Sequence, residues 1–137
     1  METMEARMVK LYARNNNHVA LHAIPGHFAT SHSHINFYID MTSLKTRANE
    51  AQEVAKSLAG DYVNSTVVDT IVCMDGTEVV GAYLAQEFEK RGFRNTNLHD
   101  TIYVVTPEYN ANNQLIFRDN TIPAIKGKNV ILLLATT

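Results

Sequence analysis

The sequence predicts an α/β fold, a parallel sheet flanked by helices, on three observations. A strand, turn and helix pattern occurs twice in succession, at residues 35–59 and 67–91. The last apolar run, Asn129 to Ala135, is continuous, as in strands of a parallel sheet buried on both faces. Gly60 and Gly92 stand where each helix should stop.

Composition sets the limits. At 137 residues the chain fits one domain, residues 1–137, without a disulfide or structural metal. Its 45% hydrophobic and 19% charged residues are ordinary for a globular protein. A net charge of -2 gives no electrostatic reason to expect nucleic acid or an acidic membrane as partner. The one cysteine, Cys73, lies in an apolar run, which reads as a buried structural thiol in a reduced, cytoplasmic setting. The first fourteen residues lack the apolar core of a signal peptide, and no run reaches the roughly 18 to 20 apolar residues of a membrane span.

Along the chain, Met8, Val9, Leu11 and Tyr12 suggest a short helix, and Asn15 to Asn17 and Pro25-Gly26 should break regular structure. Ile35 to Asp40 carries the β-branched and aromatic content of a strand. Thr46 is placed to cap a helix through Ala59, with Ala48, Ala51, Val54, Ala55 and Leu58 on its apolar face and Gly60 as its stop. Val67 to Cys73 forms the next strand. The turn Met74 to Thr77 leads into a helix over Glu78 to Arg91, ended by Gly92. A third strand covers Thr101 to Val105 and breaks at Pro107. Residues 108–113 are polar, and Leu115 to Phe117 with Ile122 suggests a small hairpin around Arg118 to Asn120. Residues 1–62 thus form the lead-in, an N-terminal segment and the first long helix, and residues 63–137 the α/β core.

Three stretches in this order resemble the type I phosphoribosyltransferase family, most closely orotate phosphoribosyltransferase, as a divergent member. The first is Thr30 to Asp40 with Leu44 and the Thr46 helix, similar to the family's opening segment rich in Ser, Gly and Tyr. The second is Val68 to Gly81, similar to the family's first core strand, pyrophosphate-side loop and following helix. The third is Lys126 to Ala135, similar to the strand that carries the phosphoribosyl pyrophosphate (PRPP) motif.

The resemblance implies a phosphoribosyltransferase-like parallel sheet with an N-terminal hood over the base. If the chain is catalytic, it implies transfer of phosphoribose from PRPP to a pyrimidine base in pyrimidine biosynthesis, with magnesium as cofactor; it also implies a homodimer as the assembly. By resemblance, Thr30, Ser31, Phe37 and Tyr38 would contact the base. Asp75, Gly76, Thr77 and Glu78 would face pyrophosphate, and Thr136 and Thr137 would open the 5-phosphate loop. The remainder of that loop, the C-terminal part of the fold, is missing from the sequence: either the chain is a fragment or the site was lost.

Three departures weigh against turnover. Leu134 and Ala135 occupy the positions of the family's acidic pair, and their side chains cannot accept a hydrogen bond. Only the first residues of the phosphate loop are present. Thr106 to Gln114, where the family has a basic loop over pyrophosphate, carries one acidic residue and no basic one. No residue is assigned as catalytic. Two rival readings accompany the enzyme: a non-catalytic nucleotide- or metabolite-binding regulator of the same fold, and a self-associating module using an exposed sheet edge.

Individual residues have plain readings too. Phe37 and Tyr38 alternate across a strand, so core packing suits either one. Asp75 or Thr77 can cap a helix, and Asp75 and Glu78 would repel a phosphate unless a cation intervened. Asp40 and Asp69 read as cap or edge residues. His27, His32 and His34 cluster in sequence, but no metal ligand is assigned.

Overall fold

The computed structural model describes residues 4–29 and 33–135, with the side chains of Met4 and Glu5 left undescribed. It is a mixed α/β fold with two principal sheets. The first is antiparallel, in the order β1 (Val9–Tyr12), β2 (Ala20–Ala29), β3 (His34–Asp40), and follows a single helical turn, α1 (Met4–Arg7). Helices α2 (Thr42–Thr46) and α3 (Ala48–Tyr62) lead to a parallel sheet. There β4 (Thr70–Cys73) is central, between β5 (Tyr103–Val105) and β8 (Val130–Leu133), and α4 (Glu78–Lys90) links β4 to β5. A small hairpin, β6 (Glu108–Tyr109) and β7 (Leu115–Ile116), and a 3-10 turn at Ile122–Ala124 lie between β5 and β8. None of the helices is long and apolar enough to cross a membrane among the described residues.

One apolar core unites α3, α4 and β4. Ala55 and Ala59 from α3 meet Ile71 and Cys73 from β4 and Leu84, Ala85 and Phe88 from α4, with Val68 and Ile102 completing the cluster. Small residues on α3 let the two helices approach closely. A Cβ on Gly81 would stand 2.2 Å from Cys73 Sγ, so α4 can lie this close to the sheet only because position 81 has no side chain.

The N-terminal end of the parallel sheet is pinned by Asp69, which is fully buried. Its carboxylate accepts hydrogen bonds from the backbone N–H and hydroxyl of Thr96 and from the backbone N–H (2.8 Å) and side-chain amide (2.9 Å) of Asn129. Burial alone pushes this carboxyl up, but the Asn129 and Thr96 donors outweigh it and hold it well below the usual carboxylate range. The chain therefore ties the approaches to β5 and β8 to β4 through one charged group. This is a structural role, but not the expected cap or edge position: Asp69 is buried at the head of the central strand.

Several expectations are corrected. The segment from Val9 to Tyr12 is a strand, not a helix, because it pairs in register with Ala20 to Ala23 of β2. Pro25-Gly26 does not end regular structure: β2 runs through it with a bulge, in which Gly26 and His27 stand opposite Asn36 alone. Thr46 does not cap the long helix. It ends α2, with its hydroxyl donating back to the Thr42 carbonyl at 2.6 Å, and extended Arg47 separates the two helices. Ala48 is exposed, so the buried face of α3 is Ala51, Ala55 and Ala59. Gly60 does not stop α3, which continues to Tyr62; a Cβ at Gly60 would lie 3.4 Å from the Arg91 guanidinium.

The β4 strand proper begins at Thr70, although Val67 still makes a parallel bridge to Arg94. The hairpin forms earlier than expected, around Asn110 to Gln114. There the Asn110 side chain accepts from the N–H groups of Asn112 and Gln114 and donates to Gln114 Oε1, all at 2.9 Å. The last strand is not buried on both faces: as a sheet edge it packs Ile131 and Leu133 on the core and leaves Val130 and Leu132 exposed. Phe37 and Tyr38 are 52% and 45% exposed, so neither enters the core. The edge position of β3 in a thin sheet leaves both side chains largely to solvent.

Candidate functional site

A polar turn lies where ligands of open parallel sheets bind, beyond the carboxyl ends of the strands. After Cys73 the chain turns through Asp75 and Gly76, both in the left-handed region at φ 55° and 75°. Gly76 takes this conformation without penalty, whereas Asp75 is one of the few side-chain-bearing residue types that tolerates it. Two successive left-handed residues compress the turn, so that the Thr77 N–H reaches the Met74 carbonyl at 3.2 Å and α4 begins at once.

Thr77 is nearly buried and fixes the turn from below. Its hydroxyl lies 2.7 Å from the Met74 carbonyl and 3.3 Å from that of Leu133, while the Met74 N–H donates to Leu133 at 2.9 Å. These bonds fasten the ends of β4 and β8 together. They also direct the Thr77 hydroxyl away from α4, so this residue takes the cap position without a side-chain cap bond. The first turn of a helix has N–H groups without acceptors inside the helix and carries partial positive charge. A 13-residue helix thus presents an uncapped N-terminus at the mouth of the sheet.

A cation stands over this turn. Lys45 of α2 donates from Nζ to the Asp75 carbonyl at 3.0 Å. Its position is set from the antiparallel sheet: β3 ends at Asp40, whose carboxylate accepts the Thr42 N–H at 2.9 Å and so starts α2. The Thr42 hydrogen bonds lower the Asp40 carboxyl from its usual value, with smaller help from the charges of His22 and Lys45. The route from β3 to the turn is therefore a short chain of named contacts, Asp40 to Thr42 and Lys45 to Asp75.

Cys73 sits just below. Burial pushes its thiol up to about 11, with the Glu78 carboxylate adding to the effect and the Thr77 contact opposing it. Such a thiol is neutral near pH 7 and is packing, not a nucleophile.

The structure brings Asp75, Gly76, Thr77 and Glu78 together in one turn and adds Lys45, which the sequence reading missed. Thr30, Ser31 and His32, and Thr136 and Thr137, lie outside the described residues. Phe37 and Tyr38 are on β3, where Tyr38 packs against Phe28 with ring centres 5.7 Å apart. Leu134 and Ala135 follow β8 directly, and Leu134 is 42% exposed. The stretch that would correspond to a basic loop is the ordered Asn-rich hairpin. At its base Arg118 donates to Glu108 at 2.8 Å, which matches one positive charge with one negative. Among the described residues no group of three or more His, Cys, Asp or Glu side chains could hold a metal ion.

Comparison with known protein families, with curated proteins and with solved structures finds no match to this chain.

Proposed function

We propose that this chain is a phosphoribosyltransferase-like domain of the orotate type that binds PRPP with magnesium at the β4–α4 turn, beneath a hood formed by the antiparallel sheet. The observation that carries the reading is Lys45 over the turn that opens an uncapped helix. A pyrophosphate there would meet helix N–H groups and an ammonium, both suited to an anion. Asp75 and Glu78 are exposed acidic residues of the same turn. Magnesium keeps several waters and is commonly held by one or two carboxylates together with substrate phosphates, so these residues suit a metal-bound pyrophosphate better than a bare one.

In this scheme Lys45 and the start of α4 hold the leaving pyrophosphate, and one of the two exposed aromatics on opposite faces of β3, Phe37 or Tyr38, offers its ring to a pyrimidine base. Magnesium would neutralise charge on the departing pyrophosphate. The chain contributes orientation and charge stabilisation, with no covalent step of its own.

A second reading, a ligand-binding regulator without turnover, draws support from the Glu108–Arg118 pair and from Leu134 and Ala135. All three reduce the charge available to a transition state while leaving the turn intact. Calorimetric titration with PRPP and magnesium, paired with pyrophosphate release in the presence of orotate or uracil, separates the readings. Binding with base-dependent release supports the transferase. Binding without release supports the regulator, and no binding removes the transferase and any regulator that responds to PRPP.

A further inference from the structure

The β2–β3 hairpin carries a feature that the turn site does not use. His27 and His34 face each other across the two strands, with His27 Nε2 2.9 Å from His34 Nδ1 and ring centres 4.9 Å apart, nearly edge to face. Both residues are exposed. The bulge brings them together: by placing Gly26 and His27 opposite one residue of β3, it shifts the alternation of β2, so His27 falls on the same face as Ala29 and its partner His34.

A single proton can satisfy this pair, one ring donating and the other accepting. When His27 carries its ring proton on Nδ1 instead of Nε2, the lone pairs of His27 Nε2 and His34 Nδ1 are directed into the same small space. Imidazole nitrogens bind first-row divalent metals at about 2.0–2.1 Å. At that bond length, two nitrogens 2.9 Å apart subtend roughly a right angle at the metal. A right angle matches adjacent positions of a tetragonal or octahedral ion and is narrower than a tetrahedral site prefers, which favours copper(II) and nickel(II) over zinc.

We propose that His27 and His34 form a two-imidazole site for a divalent transition metal, copper(II) or nickel(II) by preference, which staples β2 to β3. Among the described residues no third His, Cys, Asp or Glu joins the pair. The solvent-exposed setting gives the ion free access.

The test is titration of the full chain with copper(II), nickel(II) and zinc(II) salts, followed by metal-dependent change in melting temperature and, for copper, by electron paramagnetic resonance. The expected result is one equivalent of copper bound with a two-nitrogen hyperfine pattern, a raised melting temperature reversed by chelator, and zinc weaker than copper. His27→Ala and His34→Ala should each weaken binding at least about tenfold, whereas His22→Ala, on the same strand, should leave it unchanged. Should either substitution destabilise the hairpin, the copper spectrum of the unmodified chain still decides. A spectrum without two nitrogens, or copper affinity in the His27→Ala and His34→Ala variants equal to that of the unmodified chain, would overturn the proposal.

Discussion

Lys45 Nζ lies 3.0 Å from the carbonyl oxygen of Asp75, so a short helix after the antiparallel sheet reaches the turn that opens α4. This contact joins the two halves of the molecule at the mouth of the parallel sheet. It also supplies the positive charge that Asp75 and Glu78 would otherwise deny to a phosphate.

Replacement of Lys45 by Met keeps most of the side chain's bulk and removes the ammonium. The hydrogen bond is exposed, so the stability cost should be small, about 1 kcal/mol. The affinity for PRPP with magnesium, measured by calorimetry, should fall by at least about tenfold if the ammonium contributes the roughly 1.5 kcal/mol of a charge-assisted bond. Unchanged affinity would remove Lys45 from the site.

Gly81→Ala should destabilise the fold by about 1–3 kcal/mol through overpacking against Cys73 Sγ. Cys73→Ala removes the obstructing sulfur, so the double substitution should cost less than the sum of the two single ones. A cycle of urea denaturations measures this coupling, and strict additivity would show that the contact relaxes elsewhere.

Asp69 predicts an acid-sensitive fold. Its folded-state carboxyl is held below the unfolded value of about 3.9, so its stabilising contribution is complete above that value and is lost as pH falls below it toward the folded value. Urea midpoints measured from pH 6 to pH 2 should therefore decline most steeply below about pH 4. Asp69→Asn should cost about 2–4 kcal/mol at neutral pH, because an amide cannot accept from all the Thr96 and Asn129 donors. It should also flatten the acid limb.

The Cys73 thiol should resist modification in the folded state. Burial and the nearby Glu78 hold it protonated, so a thiol-specific reagent at pH 8 should react at the rate of unfolding and rapidly only in denaturant. Fast labelling of the native protein would contradict the packing role.

The sequence made the β4, turn and α4 unit legible because its signals agree: an apolar run, a turn containing Gly76, and Gly92 as the stop, in the left-handed region at φ 76°. The antiparallel sheet was only partly legible. Ile35 to Asp40 looked like a strand, but β2 was hidden because Pro25-Gly26 signals a break and a bulge absorbs it. The exposure of β8 depends on its place at the sheet edge, which strand order alone decides. Asp75 to Glu78 could be picked out as adjacent residues, whereas Lys45 is 30 positions away from Asp75 and joins them only through the packing of α2.

If the β4–α4 turn with Lys45 holds the pyrophosphate of PRPP, as proposed, ligand binding must stabilise the fold and depend on the Lys45 ammonium. The most direct test is the melting temperature of the unmodified chain and of Lys45→Met, each with and without PRPP plus magnesium. A ligand that binds only the folded state stabilises it by about 2.7 kcal/mol at one hundred times its dissociation constant, so binding should register as a clear upward shift. A clear shift is expected for the unmodified chain and a much smaller one for Lys45→Met. No shift in the unmodified chain, or equal shifts in both, would contradict the proposal.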